Sequence, residues 1–138
     1  MSAFYKRSLD GRQVTSMEIK TNAAVVAGDL LAITSGLVGP VTAADTGIIG
    51  IAAGPAASGA MCPVILLNEM SVVRVPIGGT TKTTLAEADL FGTKFDWDAT
   101  NKKLNLDDVT GGFLQVVAYD NTAKTADTIV CRAALWNA

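Results

Sequence analysis

Four stretches of the chain set polar or reactive side chains at spacings that chemistry could use. Gly54-Pro55-Ala56-Ala57-Ser58-Gly59 has the G-x-x-x-x-G spacing of a phosphate loop, but Ala60 and Met61 stand where a lysine and a hydroxyl would touch phosphate and magnesium, so it reads as a turn. Gly78-Gly79-Thr80-Thr81-Lys82-Thr83-Thr84 sets a lysine among hydroxyls just ahead of an expected helix start, where backbone N–H groups attract anions. No glycine directly precedes Lys82, and the spacing that shapes a phosphate nest is missing. Asp96-x-Asp98-x-x-Asn101, with Asp107 and Asp108 downstream, has the oxygen-rich look of a calcium loop. It lacks the central glycine and the bidentate glutamate, so a solvated hairpin turn is the expectation, Asp and Asn being turn formers through their own backbone bonds. The fourth stretch, Ser2 to Gln13, carries two aromatics, Phe4 and Tyr5, and three cations, Lys6, Arg7 and Arg12, without a helical or strand period. It reads as a frayed terminus or as an arm that orders on a partner, with the aromatics as anchors and the cations facing acidic groups.

The rest of the composition removes most catalytic chemistry. The chain has no histidine, which excludes the Ser-His and Cys-His pairs and His-ligated zinc. A small enzyme would have to use Asp96, Asp98, Asp107 or Lys82, and no nucleophile, base and orienting group can be assembled from them. Glycosidase chemistry needs a cleft with stacking aromatics; Trp97 and Trp136 are the only tryptophans and read as plugs of a core or an interface. Eleven basic residues against thirteen acidic ones give a net charge of −2, the wrong balance for a nucleic-acid partner. Cys62 and Cys131 form no C-x-x-C motif and read as small core residues of a protein made in a reducing compartment, one bridge between them staying open. We expect no cofactor, no metal and no small-molecule substrate.

The elements that must hold these residues are strands. With 138 residues the chain is one domain's worth. The polar first twenty residues show no secretion signal. From Gly47 to Leu67 there is no charge, about the length of a membrane span, but the Gly54–Gly59 turn and Pro63 break it into two short buried strands. Strands are further expected at Leu30 to Ile33, Val38 to Val41, Ser71 to Ile77 and Phe113 to Tyr119, with a terminal one over Thr128 to Trp136. Asp120 to Asp127 reads as a polar loop between the last two. Phe95-Asp96-Trp97 and Leu104-Asn105-Leu106 alternate about a turn and predict a hairpin. The single helical candidate is Thr83 to Phe91, with Thr84 as cap, Glu87 three residues on and Gly92 as stop.

A weak internal repeat supports two similar meanders. Gly28 to Ile33 aligns with Gly92 to Trp97 at an offset of 64, Gly47 to Ala53 with Gly112 to Ala118 at 65, and Val64-Ile65 then falls on Ile129-Val130. The fold class is therefore all-β with one short helix: a small β-sandwich or β-barrel of two similar meanders, residues 23–138, preceded by an extended N-terminal arm, residues 1–22.

In Val26-x-Gly28-Asp29-Leu30-Leu31, Gly47-Ile48-Ile49-Gly50-Ile51-Ala52, Ala57-Ser58-Gly59 before Val64-Ile65, Gly92-Thr93-Lys94-Phe95-Asp96-Trp97-Asp98, the Gly112 to Ala118 strand and the Thr128 to Leu135 strand, taken in order, the chain resembles the capsid decoration, or cement, proteins of tailed bacteriophages. The resemblance spans about Val25 to Leu135. It implies a structural virion protein, assembled in the bacterial cytoplasm, that binds the outer surface of an icosahedral head as an oligomer, most often a trimer, and stabilises the shell. Its partner would be the major capsid protein, met by Phe4, Tyr5, Lys6, Arg7 and Arg12, which hold the place of the arm by position. The aliphatic excess at Ile48 and Ile49, with Trp97 and Trp136, would form the oligomer interface, such contacts being more apolar than ordinary surface. The alternatives are a tail- or fibre-associated β module and a small hydrolase.

Overall fold

In the computed structural model, which describes residues 3–11, 15–42 and 46–138, the described residues form eleven strands and two 3-10 turns. Its strands are β1 Phe4–Ser8, β2 Thr15–Lys20, β3 Leu30–Thr34, β4 Leu37–Pro40, β5 Ile48–Ala52, β6 Met61–Leu66, β7 Ser71–Gly78, β8 Lys94–Asp98, β9 Lys103–Asn105, β10 Leu114–Asp120 and β11 Thr125–Val130. One sheet runs β1-β7-β11-β10-β8-β9 and the other β2-β6-β5-β3-β4, which is the expected all-β sandwich.

The two sheets are the same object built twice. Leaving β1 aside, β2 to β6 and β7 to β11 are connected in the same order and lie in the same order. The pairings Leu31↔Gly50 and Phe95↔Leu114 match, as do Ile51↔Ile65 and Gln115↔Ile129, all at one offset of 64 (31 to 95). The glycine match at 65 was one residue out, because pairing follows the ladder and not the glycines. Each half also closes on itself: β7 meets β9 in parallel at Ile77↔Leu104, and Thr21 bridges Val38 in parallel in the other half. Strands with a right-handed twist coil in this way until first and last edges touch.

Turn chemistry fixes the hairpins. Ser35 and Gly36 take consecutive positive φ of 51° and 80°, the two-residue turn whose twist suits paired strands. The longer β8–β9 turn is held by the Asp98 carboxylate, which accepts the Thr100 and Asn101 amides, and the β10–β11 turn repeats this with Asp120 on Thr122 and Ala123. The helix expected over Thr83–Phe91 reduces to a 3-10 turn, Glu87–Asp89. Both backbone groups of Leu85 are taken by the Asn121 side-chain amide, at 2.9 Å each, so they cannot enter a helical ladder.

The large core lies between the sheets and takes residues from both halves, among them Leu30, Ile48, Ile51, Phe95, Trp97, Leu104 and Phe113. A smaller core of Leu31, Val38, Ile49, Ala52, Cys62 and Val64 belongs to the first half alone. β5 stands between the two, with Ile48 and Ile51 in one and Ile49 and Ala52 in the other. A strand buried on both faces reads as a continuous apolar run, and this is the physical origin of the aliphatic excess. Ile48, Ile49 and Trp97 are accordingly core residues of the protomer with no surface to offer an oligomer, contrary to the sequence-based expectation. The charge-free 47–67 run is β5 and β6 with a turn between them, and among the described residues no helix is long and apolar enough to cross a membrane.

The N-terminal segment is extended, yet its described residues are paired. β1 lies antiparallel on β7, from Phe4↔Arg74 to Ser8↔Ser71, and β2 lies on β6 in the other sheet, from Thr15↔Leu66 to Lys20↔Met61. Ala3 is buried in the large core and Tyr5 packs against it. Within the arm read over residues 1–22, β1 and β2 are each an edge strand of one sheet.

Candidate docking surface

β1 brings the N-terminal residues onto β7 and β11. Alternation along the strand turns Tyr5 inward and leaves Phe4 and Lys6 outward, and a bulge between Tyr5 and Arg7 lets the exposed Arg7 follow. Lys6 Nζ donates to Asp127 Oδ2 at 2.8 Å, and Arg74 Nε donates to Asp127 Oδ1 at 2.8 Å, with its Nη2 3.3 Å from Oδ2. The Arg74 guanidinium carbon lies 5.9 Å from the centroid of the Phe4 ring, within cation–π range. Burial opposes the Asp127 charge, but the Arg74 and Lys6 hydrogen bonds outweigh it and hold the carboxyl below its ordinary range. The cluster borders an open groove of about 450 Å³, also lined by Tyr119, Asp120 and Thr125. Arg12 lies outside the described residues.

Sequence reasoning missed Arg74 and Asp127 as partners of the N-terminal residues. Arg74 had a signal, as the lone charge between Val73 and Val75, while Asp127 sat in a stretch read as loop. Thr125 to Asp127 are strand because their partners are on β7, in the pairs Thr125↔Pro76 and Asp127↔Arg74. The chain also departs from the expected terminal strand after Val130: Arg132–Ala134 form a 3-10 turn, and Leu135 bridges Ile48. Trp136, the one expected interface residue on the surface, is 48% exposed.

Two of the weighed chemical sites prove to be one feature. Asp107, read as the end of a calcium loop, turns its carboxylate onto the amides of Thr80 (2.5 Å), Thr81 (3.1 Å) and Lys82 (2.7 Å). The anion that the Thr80–Lys82 amides attract is therefore the chain's own. The Lys82 and Thr80 amide bonds pull the Asp107 pKa down to about 2. Among the described residues no three His, Cys, Asp or Glu side chains gather as ligands would. Cys62 and Cys131 are both free thiols, and burial raises both above the ordinary range, away from nucleophilic reactivity.

The fold and this surface define a class: an internally duplicated β-sandwich with an aromatic and cationic edge strand set on a groove. Among solved structures the chain is similar to the N base of head fiber gp8.5 of bacteriophage phi29, with a TM-score of 0.55 and 16% sequence identity, over 89% of this chain and 98% of that one. At that identity the likeness is one of fold. No protein-family model and no curated protein matches the chain.

Proposed function

We propose that this protein is a structural component of a phage virion that binds the outer surface of an icosahedral head as an oligomer and strengthens the shell. The observation that carries the reading is the fold shared with the N base of a head fiber over nearly the whole of both chains. The absence of histidine and the raised thiols agree with a part that works by contact area and without catalysis. In this reading Phe4, Lys6, Arg7 and the groove beside them meet the major capsid protein, and Trp136 serves contacts between copies. An oligomer, a trimer by preference, engages several shell subunits at once, so that modest contacts reinforce each other through high effective concentration.

The same likeness favours a second reading, in which the domain is the base of a fibre seated on the head. Sedimentation with undecorated heads and with isolated tails tests the proposal, and electron microscopy of the pelleted heads separates the two readings. A shell layer at many copies is the expected result; a projecting fibre at each site supports the second reading, and pelleting with tails alone overturns both. Within the proposal, Arg7→Glu together with Phe4→Ala weakens head binding by more than tenfold, or about 1.4 kcal/mol.

A further inference from the structure

The internal duplication gives every strand a counterpart except β1. β1 occupies a defined place, the outer edge of β7 from Ser71 to Arg74, beyond which β7 closes on β9 at Ile77 and Gly78. β2, the counterpart of β7, closes in the same way at its far end: Thr21 bridges Val38, and the Asn22 amide donates to the Val38 carbonyl at 2.9 Å. The stretch of β2 that corresponds to Ser71–Arg74 is Thr15–Glu18, since Met17↔Val64 matches Val73↔Thr128. Thr15 to Glu18 are all exposed, and among the described residues no strand lies on their outer edge. Its backbone is set for one. The Thr21 amide points inward to the Ala60 carbonyl and that of Asn22 points outward, so by strand alternation Ser16, Glu18 and Lys20 turn their N–H and C=O groups away from β6.

We infer that the outer edge of Thr15–Glu18 receives an extended strand of another protein, antiparallel and in the register of β1 on β7, with apolar side chains opposite Glu18 and Met17 in the places of Phe4 and Tyr5, and a lysine or arginine next in line, in the place of Lys6, to pair with Glu18. The occupied edge shows what such a strand must bring. There Tyr5 lies opposite Val73 and continues its buried face, while Lys6 reaches Asp127 beside Arg74. At the open edge Met17 stands for Val73, Glu18 for Arg74 and Pro63 for Asp127. Met17 is 51% exposed on the face where Ile19 packs against the smaller core, so an apolar neighbour extends that face, and a methionine favours an aromatic one. The carboxylate has moved onto the edge strand itself, so Glu18 supplies the charge that Asp127 supplies to Lys6. Charges on an open edge also discourage indiscriminate pairing, which leaves it to a strand that answers Glu18. The inference rests on the duplication alone and stands wherever the protein acts.

The test uses the full-length protein, isotopically labelled, and a synthetic peptide of residues 3–9, Ala-Phe-Tyr-Lys-Arg-Ser-Leu, the sequence that the equivalent edge accepts. Saturable amide shifts confined to β2 and its neighbour β6, with slowed hydrogen exchange at Ser16 and Glu18, are expected. Glu18→Lys in the protein weakens binding about tenfold, and a peptide carrying glutamate in place of its lysine restores it to that variant. Shifts that map to Val72–Arg74 would mean that the peptide displaces β1, and would overturn the inference. Concentration-dependent protection of the same two amides without peptide would overturn it too, a second copy then filling the edge, as would the absence of any shift at millimolar peptide.

Discussion

Asp29 and Lys102 join the two halves of the duplicated fold, with Lys102 Nζ 2.6 Å from Asp29 Oδ1. Asp29 is buried just ahead of β3, where its other oxygen accepts the Val26 amide at 2.9 Å, and Lys102 sits half-exposed in the β8–β9 turn with a positive φ of 54°. Lys102→Met strands a buried carboxylate and is expected to cost about 1–3 kcal/mol, less than for a fully buried pair because the lysine is half in water. Adding Asp29→Asn recovers part of that loss, since the amide keeps an acceptor for Val26 without the charge. Urea unfolding of the two single variants and the double variant measures the coupling; additive costs would mean that the pair contributes nothing.

Acid should release the Thr80–Lys82 loop. A free aspartate titrates near about 3.9, and Asp107 is held at about 2, so its folded-state value is depressed. The stability from this carboxylate is then present in full above about pH 5 and is lost as pH falls through about 2. Asp107→Asn should flatten the dependence of the urea midpoint on pH between 5 and 2.5. Parallel curves for the two proteins would show that the amides do not favour the charged form.

Gly50 is held by space. A Cβ there would stand 2.2 Å from the Ile65 carbonyl oxygen and 2.6 Å from Val64 Cγ1, in the middle of β5 where both faces are packed. Gly50→Ala is expected to cost about 2–3 kcal/mol and to lower the melting temperature by roughly 5–10 °C. Gly36→Ala, by contrast, meets open space at a positive φ of 80°, and its smaller cost would come from backbone strain alone.

Removing residues 2–13 tests β1 as an integral strand. The deletion takes Ala3 and Tyr5 from the large core and Lys6 from Asp127, and should cost more than about 2 kcal/mol while leaving the duplicated ten strands folded. Arg7→Ala, at an exposed position, should stay within about 0.5 kcal/mol of the parent. Equal stability of the truncated and full chains would return the segment to a free arm.

What the sequence made legible was local. The β8–β9 hairpin could be read because Phe95 and Trp97 alternate with Asp96 and Asp98, and one face is indeed buried. The two halves could be paired because Gly28 and Gly92 each stand just ahead of the second strand of a half, β3 and β8. Hidden were the relationships between distant positions: the 121-residue separation of Lys6 from Asp127, and the hold of Asn121 on Leu85 that cancels a helix with good local signals. The doubly buried β5 misled for the same reason. An apolar run shows how much surface must be covered, and leaves open whether the cover comes from the same chain or another.

The first strand pairs with the seventh, and its lysine is fixed by the last. As the polypeptide leaves the ribosome, β2 to β6 can close while Phe4 and Lys6 still wait for β7 and β11. The groove thus takes shape only once β11 is made, and a chain ending before Thr125 would lack part of its wall. Order at the amino-terminal strand therefore depends on residues more than a hundred positions away along the chain.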